Sequence, residues 1–368
     1  MAAPVYFWNM RASRRAPYGQ RLKKLLKLAG VGAHLTSRDL VAVKLHFGEA
    51  GTTGFVSPLL LKPLLEFLRK IGTRPFLTDT NTLYVGQRAE SVSHALQAAA
   101  HGFDPNLLGA PVLIADGLKS THEREIPFKG THFPSCYLAG DIVDADGLVT
   151  VSHFKGHDLA GFGGALKNIG MGCATRRGKM HQHCGLGPQI HPEHCTGCGA
   201  CTNVCLPGAL RLRDGRIDLD PELCVGCAAC LPVCRHRGLA VNWTVDTTTF
   251  LERMAEYAAA TLRTMDGPCL HLNFVTQVSP GCDCTGFNDA PICPDQGVLA
   301  SLDPVALDQA ALDLVNAAPP LYPSALPEGT EPGRDKFRAL HPGTDGTHLL
   351  KYAETLGVGT REYRLVTI

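Results

Sequence analysis

This 368-residue chain lacks three features that would indicate where it acts and on what. The net charge is only +1, whereas nucleic-acid binders usually carry a clear basic excess. No apolar run reaches the roughly 18 residues that a membrane-spanning helix needs. The first fifteen residues include three arginines and lack the apolar stretch of a secretory signal. We therefore expect a cytoplasmic protein that acts on proteins or small molecules, and neither on nucleic acid nor at a membrane.

Cysteine, by contrast, is abundant, with fifteen residues. Small secreted proteins use many cysteines for disulfides, but this chain is long enough to bury a core without them. In a cytoplasm the thiols stay reduced, and dense cysteine then indicates metal binding. We therefore expect metal ligands among these cysteines.

Eight of the cysteines form two runs with the spacing C-x2-C-x2-C-x3-C, and the second run begins 29 residues after the first. In two-cluster ferredoxins such a run supplies three thiolates to one 4Fe–4S cluster, and its fourth cysteine serves the other cluster. Zinc, which also takes two C-x2-C pairs, is the alternative. The usual proline after the fourth cysteine is replaced by Leu206 and Arg235. The predicted ligand sets are Cys195, Cys198, Cys201 with Cys234, and Cys224, Cys227, Cys230 with Cys205.

The remainder of the chain alternates between short apolar strands and amphipathic helices, which predicts an α/β fold with a mainly parallel sheet. A ferredoxin-like module is expected as an insertion, so that the α/β domain comprises residues 1–186 and 243–368 and the module residues 187–242. The predicted strands are residues 41–45, 75–78, 111–115, 147–152, 270–276 and, at a sheet edge, 362–367. The predicted helices are residues 57–70, 88–100, 250–262, 303–316 and 347–355.

Functional side chains of open parallel sheets collect at the carboxyl ends of the strands. His46, Asp79, Asp116, His153 and Lys155 all occupy such positions. The glycine-rich turn that follows, residues 161–166, is not a dinucleotide-binding fingerprint, because a leucine replaces its third glycine. We therefore expect a pocket at this edge that does not bind a nicotinamide cofactor.

Histidines and cations are concentrated just before the cysteine runs. Six of the sixteen histidines fall between residues 153 and 194, beside lysines and arginines. Histidine exchanges protons near neutral pH, and fixed cations hold carboxylates or phosphates, so this segment favours a small anionic substrate. A solvated loop, or histidines satisfied within the core, is the alternative. The predicted catalytic residues are His153, Lys155, His157 and Lys167, with Arg176, Arg177 and Lys179 as further cations.

A second group of thiols lies further along the chain. Cys282 and Cys284 flank one aspartate in a polar turn, and Cys293 follows nine residues later. With Cys173 or Cys184 they predict a third metal or iron–sulfur site. The alternative is that they are small buried apolar residues, as free cysteines often are.

Several of these segments carry a resemblance. The runs HFKGH at residues 153–157, AGFGGALKN at 160–168, CDC at 282–284 and SLDPVALD at 301–308 resemble the iron–sulfur members of the family catalogued as domain of unknown function 362. The similarity extends from about residue 41 to residue 316. It implies a ferredoxin module inserted in an α/β domain, without an activity to carry over.

A shorter stretch is similar to the nickel-pincer lactate racemases. In that family a histidine acts as acid and base and a lysine ten residues later anchors the cofactor, and His157 and Lys167 keep this spacing. Leu166 stands where the family tends to have arginine. The resemblance therefore implies a shared pocket in which His157 moves a proton and Lys167 binds substrate or cofactor, rather than a pincer cofactor.

Together these patterns predict an iron–sulfur oxidoreductase. Two 4Fe–4S clusters, reduced or oxidised by a partner protein, would relay electrons to a pocket of the α/β domain. The alternative is a ferredoxin-like carrier, or a metal or cluster assembly factor, without a substrate of its own. A closed polar cavity lined by His157, Lys167 and Cys284 distinguishes the enzyme from the carrier.

Overall fold

A computed structural model describes residues 2–184, 187–243 and 246–368 of the chain, which folds into strands and helices around one large sheet. The elements up to residue 184 are β1 (Ala3–Trp8), α1 (Tyr18–Leu28), β2 (Leu40–Lys44), α2 (Pro58–Lys70), β3 (Arg74–Asp79), α3 (Ser91–Ala100), α4 (Pro105–Leu108), β4 (Val112–Ile114), β5 (Glu123–Pro127), β6 (Ser135–Ala139), α5 (Gly140–Val143), β7 (Gly147–His153), β8 (Lys155–His157), β9 (Gly161–Gly163), α6 (Ala165–Gly170) and α7 (Arg176–Cys184). The later elements are β10 (Gln189–Ile190), β11 (Leu210–Arg213), β12 (Arg216–Leu219), α8 (Cys230–Val233), β13 (Leu239–Ala240), α9 (Thr247–Arg263), β14 (Leu270–Val275), β15 (Gly297–Ser301), α10 (Pro304–Ala317), α11 (Lys336–Leu340), α12 (Thr347–Thr355) and β16 (Tyr363–Thr367).

The central sheet has eight strands in the order β16-β1-β15-β14-β7-β2-β3-β4. Only β15 runs against its neighbours, since it pairs antiparallel with β1 and β14, and the other five pairings are parallel. The predicted α/β fold with a mainly parallel sheet is therefore confirmed.

Apolar helices cover both faces of this sheet. Side chains alternate along β2, so that Val41 and Val43 join a core shared with α1 and α2, and Ala42 joins a core on the opposite face. A further core joins α6, α9, α10 and α12. Every residue of the central strand β7 is buried, as expected for a parallel strand between two layers of helices. Within the described ranges, no helix is both long enough and apolar enough to cross a membrane.

The segment with the two cysteine runs is built differently. It contains two pairs of short strands, β10 with β13 and β11 with β12, and only the single-turn helix α8 as regular α-structure. It has its own small apolar cluster, to which Met180 of α7 and Leu83 also belong. The predicted boundary at residues 186 and 187 falls partly outside the described residues, since residues 185 and 186 are not among them.

Candidate active site

A cavity of about 710 Å³ lies at the carboxyl edge of the sheet. The parallel strands β2, β3 and β7 end there at Lys44, Asp79 and His153, because aligned parallel strands bring their carboxyl ends to one edge. All four side chains predicted to be catalytic line this cavity. His46 also lines it, whereas Asp116 lies behind it and holds the backbone of Asn81.

Two buried cations share one carboxylate in the wall of the cavity. Asp79 lies 2.9 Å from Lys44 Nζ and 3.2 Å from the Arg88 guanidinium. Burial alone would raise the pKa of Asp79, but Lys44, His94 and Arg88 outweigh it and lower the pKa. Arg88 also reaches Glu49 at 3.5 Å and the hydroxyl of Tyr84. Sequence reasoning missed Arg88, which was assigned only to the start of a predicted helix.

The C-x-C loop consists of Cys282, Asp283 and Cys284, and Asp283 holds this loop at the end of β7. Its fully buried carboxylate lies 3.0 Å from His153 Nδ1 and 3.0 Å from Lys155 Nζ. His153 Nε2 lies 2.9 Å from the carbonyl oxygen of Thr276. Since an oxygen acceptor faces each ring nitrogen, His153 has no nitrogen free to accept a proton from a substrate. His153 and Lys155 therefore hold the loop at the end of β7, and their catalytic role stays a prediction.

The C-x-C loop also packs directly on the strand β8. The amide of Gly156 donates a 2.8 Å hydrogen bond to the carbonyl oxygen of Ser279. A side chain at position 156 would place its Cβ 2.1 Å from the carbonyl oxygen of Pro280. Only glycine allows this approach, which brings the loop beside His157.

Lys167 is positioned by the anchors of the short helix α6. Asp308 accepts hydrogen bonds from the amides of Ala165 and Leu166 at 2.7 and 2.9 Å, and burial raises its pKa to about 6. Asn168, next to Lys167, contacts Lys44 Nζ at 2.8 Å at the end of β2. The first turn of α6 is thus held by α10 and its middle by β2, and Lys167 lines the cavity.

His157, Cys282 and Cys284 form a compact group, with one donor atom from each within 4.8 Å of the others. Cys282 Sγ lies 3.4 Å from the amide of Cys284 and 3.7 Å from Lys167 Nζ. A hydrogen bond from the Cys284 thiol, assisted by Lys167 and His157, lowers the pKa of Cys282 well below its usual range despite burial. The same hydrogen bond and burial raise the pKa of Cys284. Lys167 and the Cys284 amide thus favour the thiolate form at Cys282 over the thiolate form at Cys284.

The protonation of His157 decides whether this group suits a metal ion. Its Nδ1 accepts hydrogen bonds from the amides of Leu159 and Ala160, both at 3.1 Å. Asp158 lies equally near, but its side chain is 76% exposed and free to turn to water. Nδ1 is therefore occupied as an acceptor and the proton resides on Nε2, which leaves no lone pair for a metal. His157, Cys282 and Cys284 thus do not fit a resident metal ion.

The other cysteines predicted for a third metal site lie elsewhere. Cys293 is fully buried in the core beneath α10, and burial raises its pKa to about 12. Cys173 is fully buried in a different apolar cluster, against the strands β2 and β3. Cys184 packs in the cluster of the cysteine-run segment. Of the predicted third thiol group, only Cys282 and Cys284 come together.

The cavity holds more buried cations than buried carboxylates. Lys179 of α7 donates to the Thr80 hydroxyl and, at 2.6 Å, to the carbonyl oxygen of Ala174, both neutral acceptors. Burial lowers its pKa to about 8. The predicted cations Arg176 and Arg177 face away, toward backbone carbonyl oxygens and the ring of Tyr137. Of the six clustered histidines, His153, His157 and His183 line the cavity.

The eight cysteines of the two runs surround two further, small cavities. One cavity is lined by Cys195, Cys198, Cys201 and Cys234, and the other by Cys205, Cys224, Cys227 and Cys230. In each set, three cysteines of one run meet the fourth cysteine of the other run. This is the grouping predicted from the spacing.

Comparison with known proteins gives a family and two solved structures. A family model described as Domain of unknown function (DUF362) matches residues 41–313. The chain is similar to lactate racemase apoprotein from Thermoanaerobacterium thermosaccharolyticum, with 13% sequence identity and a TM-score of 0.34. The match covers 74% of this chain and 51% of the racemase chain. A structural-genomics target from Thermotoga maritima is similar at 10% identity, 72% and 52% coverage and a TM-score of 0.39. The chain thus spans about half the length of both, and no curated protein matches it.

Proposed function

Because the chain belongs to the family described as Domain of unknown function (DUF362), whose name assigns no activity, we propose its function from the site itself. The chain acts as an iron–sulfur oxidoreductase. Residues 187–242 form an inserted bacterial-type ferredoxin module with two 4Fe–4S clusters, and a small anionic substrate exchanges electrons in the cavity of the α/β domain. The observation that carries this proposal is the arrangement of two four-thiol cavities beside the large cavity.

The thiol groups suit clusters better than single zinc ions. A zinc ion with bonds of about 2.3 Å holds its sulfur ligands about 3.8 Å apart. All eight cysteines are among the described residues, yet no three of their sulfur atoms lie within 4.8 Å of one another. Four sulfur atoms spread around a cavity match a larger inorganic group. When bound, a 4Fe–4S cluster gains or loses one electron at a time.

Burial raises the pKa of Cys230 to about 12, and it also raises the pKa of Cys201. Thiolates are the form that binds iron, so the positive iron centres of a bound cluster would have to ionise these two thiols.

The helix α7 connects the thiol groups to the large cavity. Met180 of this helix lines the cavity of Cys205, Cys224, Cys227 and Cys230, while its neighbour Lys179 lines the large cavity. Leu83 belongs both to the apolar cluster of the cysteine segment and to the wall of the large cavity. One helix therefore separates that thiol group from the substrate cavity. At the far end Cys198 is exposed, and there we propose that a redox partner protein docks.

The large cavity supports an enzyme over an electron carrier or an assembly factor. His157, Lys167 and Cys284 share its wall as predicted, whereas the cavity itself is partly open and mostly apolar and not the closed polar cavity of the prediction. Among the described residues Lys179 donates to neutral acceptors, so its ammonium group is available to a carboxylate or phosphate, whereas Lys167 lies beside the Cys282 sulfur. Neither a carrier nor an assembly factor requires such a buried cationic cavity.

Paired substitutions test the proposal. In protein purified without oxygen, we expect Cys198→Ala and Cys227→Ala each to remove one of the two clusters, with about half of the iron and one of two paramagnetic resonance signals after dithionite reduction. Cys184→Ser is the matched control, since Cys184 packs in the same apolar cluster but lines neither thiol cavity. Wild-type protein that holds zinc, or iron that all three substitutions leave unchanged, would contradict the proposal.

A further inference from the structure

We propose that Cys282 and Cys284 form a redox couple inside the large cavity, alternating between a disulfide and a dithiol and storing two electrons beside the substrate site. The proposal rests on the proposed function for the source of those electrons. It replaces the third metal site predicted from the sequence.

The first argument is the position of the two sulfur atoms. They lie within 4.8 Å of each other on a loop of three residues, and both side chains line the cavity. A disulfide needs a sulfur–sulfur distance of about 2.05 Å, so its formation requires the two side chains to rotate toward each other. Asp283, between them, is held by His153 and Lys155 at 3.0 Å each, so the backbone of the loop stays fixed while the side chains rotate.

The second argument is the surroundings of Cys282 Sγ. Lys167 Nζ at 3.7 Å and the Cys284 amide at 3.4 Å both direct a donor toward this sulfur. His157 joins them, and its Nδ1 is occupied by the amides of Leu159 and Ala160, so that it donates from Nε2. A sulfur surrounded by donors and one cation is stabilised as a thiolate, the form that attacks or leaves in disulfide exchange. A metal ion at the same place would find His157 protonated.

The reaction balances as a two-electron step. The Cys282–Cys284 disulfide takes up two electrons and one proton, the sulfur–sulfur bond breaks, and the products are the Cys282 thiolate and the Cys284 thiol. The reductant is a low-potential one-electron donor acting through the two iron–sulfur sites, and the proton comes from water that enters the cavity. Lys167 then balances the charge of the thiolate.

Thiol labelling tests the couple without relying on catalytic activity. Anaerobic holoprotein is equilibrated with mixtures of oxidised and reduced dithiothreitol, quenched with acid and maleimide, and mapped by peptide mass spectrometry. We expect Cys282 and Cys284 to change together from labelled to disulfide-bonded over a single two-electron transition. Cys293, buried in the core nine residues later, is the internal control and stays labelled throughout. Labelling of Cys282 and Cys284 at every mixture would overturn the proposal.

A reductive titration separates this proposal from the proposed function. Protein with the pair oxidised should consume two more electrons per chain than Cys284→Ser before the iron–sulfur sites are fully reduced, at equal iron content. Equal consumption at full iron content would overturn the couple and leave the iron–sulfur oxidoreductase intact. If dithionite reduces the pair equally fast in protein stripped of iron, that result would support the couple and overturn the relay that feeds it.

Discussion

Replacement of Lys167 by methionine tests the electrostatics of the active site most directly. Its ammonium group lies 3.7 Å from Cys282 Sγ, and methionine keeps most of the volume while removing the charge. At an effective dielectric constant of about 20, two unit charges at this distance attract by about 4 kcal/mol. Water that enters the altered cavity screens part of this, and a remaining loss of about 1.4 kcal/mol corresponds to a tenfold effect. We therefore expect the midpoint of the Cys282 alkylation curve to rise by at least about one pH unit.

The pH dependence gives the sign of the effect. Lys167 helps to hold the pKa of Cys282 well below its usual range, so its removal raises this pKa and moves the alkylation curve to higher pH. Iodoacetamide rates measured between about pH 5 and pH 9, and resolved by peptide mass spectrometry, determine the shift. Lys179→Met is the matched control, because it removes the same charge from the same cavity without touching Cys282. An unchanged curve for Lys167→Met would refute the assignment of Cys282 as the thiolate.

Two further substitutions test how the C-x-C loop is held. Asp283→Asn leaves His153 and Lys155 buried without their carboxylate, and we expect the free energy of unfolding in urea to fall by about 3 kcal/mol or more at neutral pH. His153 and Lys155 outweigh burial and lower the pKa of Asp283. The contribution of Asp283 to stability therefore exists above the pKa of the unfolded state and is lost in acid, so the stability difference between variant and wild type should shrink as the pH falls. A difference that stays constant with pH would count against the ion pair. Gly156→Ala places a Cβ 2.1 Å from the Pro280 carbonyl oxygen. We expect this substitution to lower the free energy of unfolding by about 1–3 kcal/mol and to speed the labelling of Cys282 in folded protein. Gly343→Ala is the control, because its Cβ would have nothing within 4 Å, and it should change neither quantity. Equal stability of the two alanine variants would show that the loop does not need this approach.

The sequence predicted those parts of the structure that depend on local patterns. Amphipathic periodicity and the capping pair Asp303-Pro304 located the helix α10, which begins at Pro304, and the periodicity of residues 347–355 located α12 with the same bounds. The cysteine spacing predicted which thiols line the same small cavity, because three of them in each set follow each other at short intervals. The resemblance of residues 157–167 to the nickel-pincer lactate racemases predicted one pocket for His157 and Lys167, and both line the cavity.

Parts of the structure that depend on distant partners were missed. The strands β1 and β15 were not predicted. The strand β1 pairs with the predicted edge strand β16, more than 350 residues away, and the antiparallel strand β15 lies between β1 and β14. The helix α7 was not among the predicted helices, because its buried face uses polar residues such as Lys179 and Gln182 in place of an apolar stripe. Asp283 contacts a histidine 130 residues earlier, and its position between two cysteines was the single signal that could have identified it.

The most direct test of the central claim is the iron and acid-labile sulfide content of the wild-type protein, purified and measured without oxygen. Two 4Fe–4S clusters predict about eight iron and eight sulfide ions per chain, with a brown colour that dithionite bleaches. Colourless protein that contains zinc and no sulfide would contradict the claim that the eight cysteines deliver electrons to the cavity.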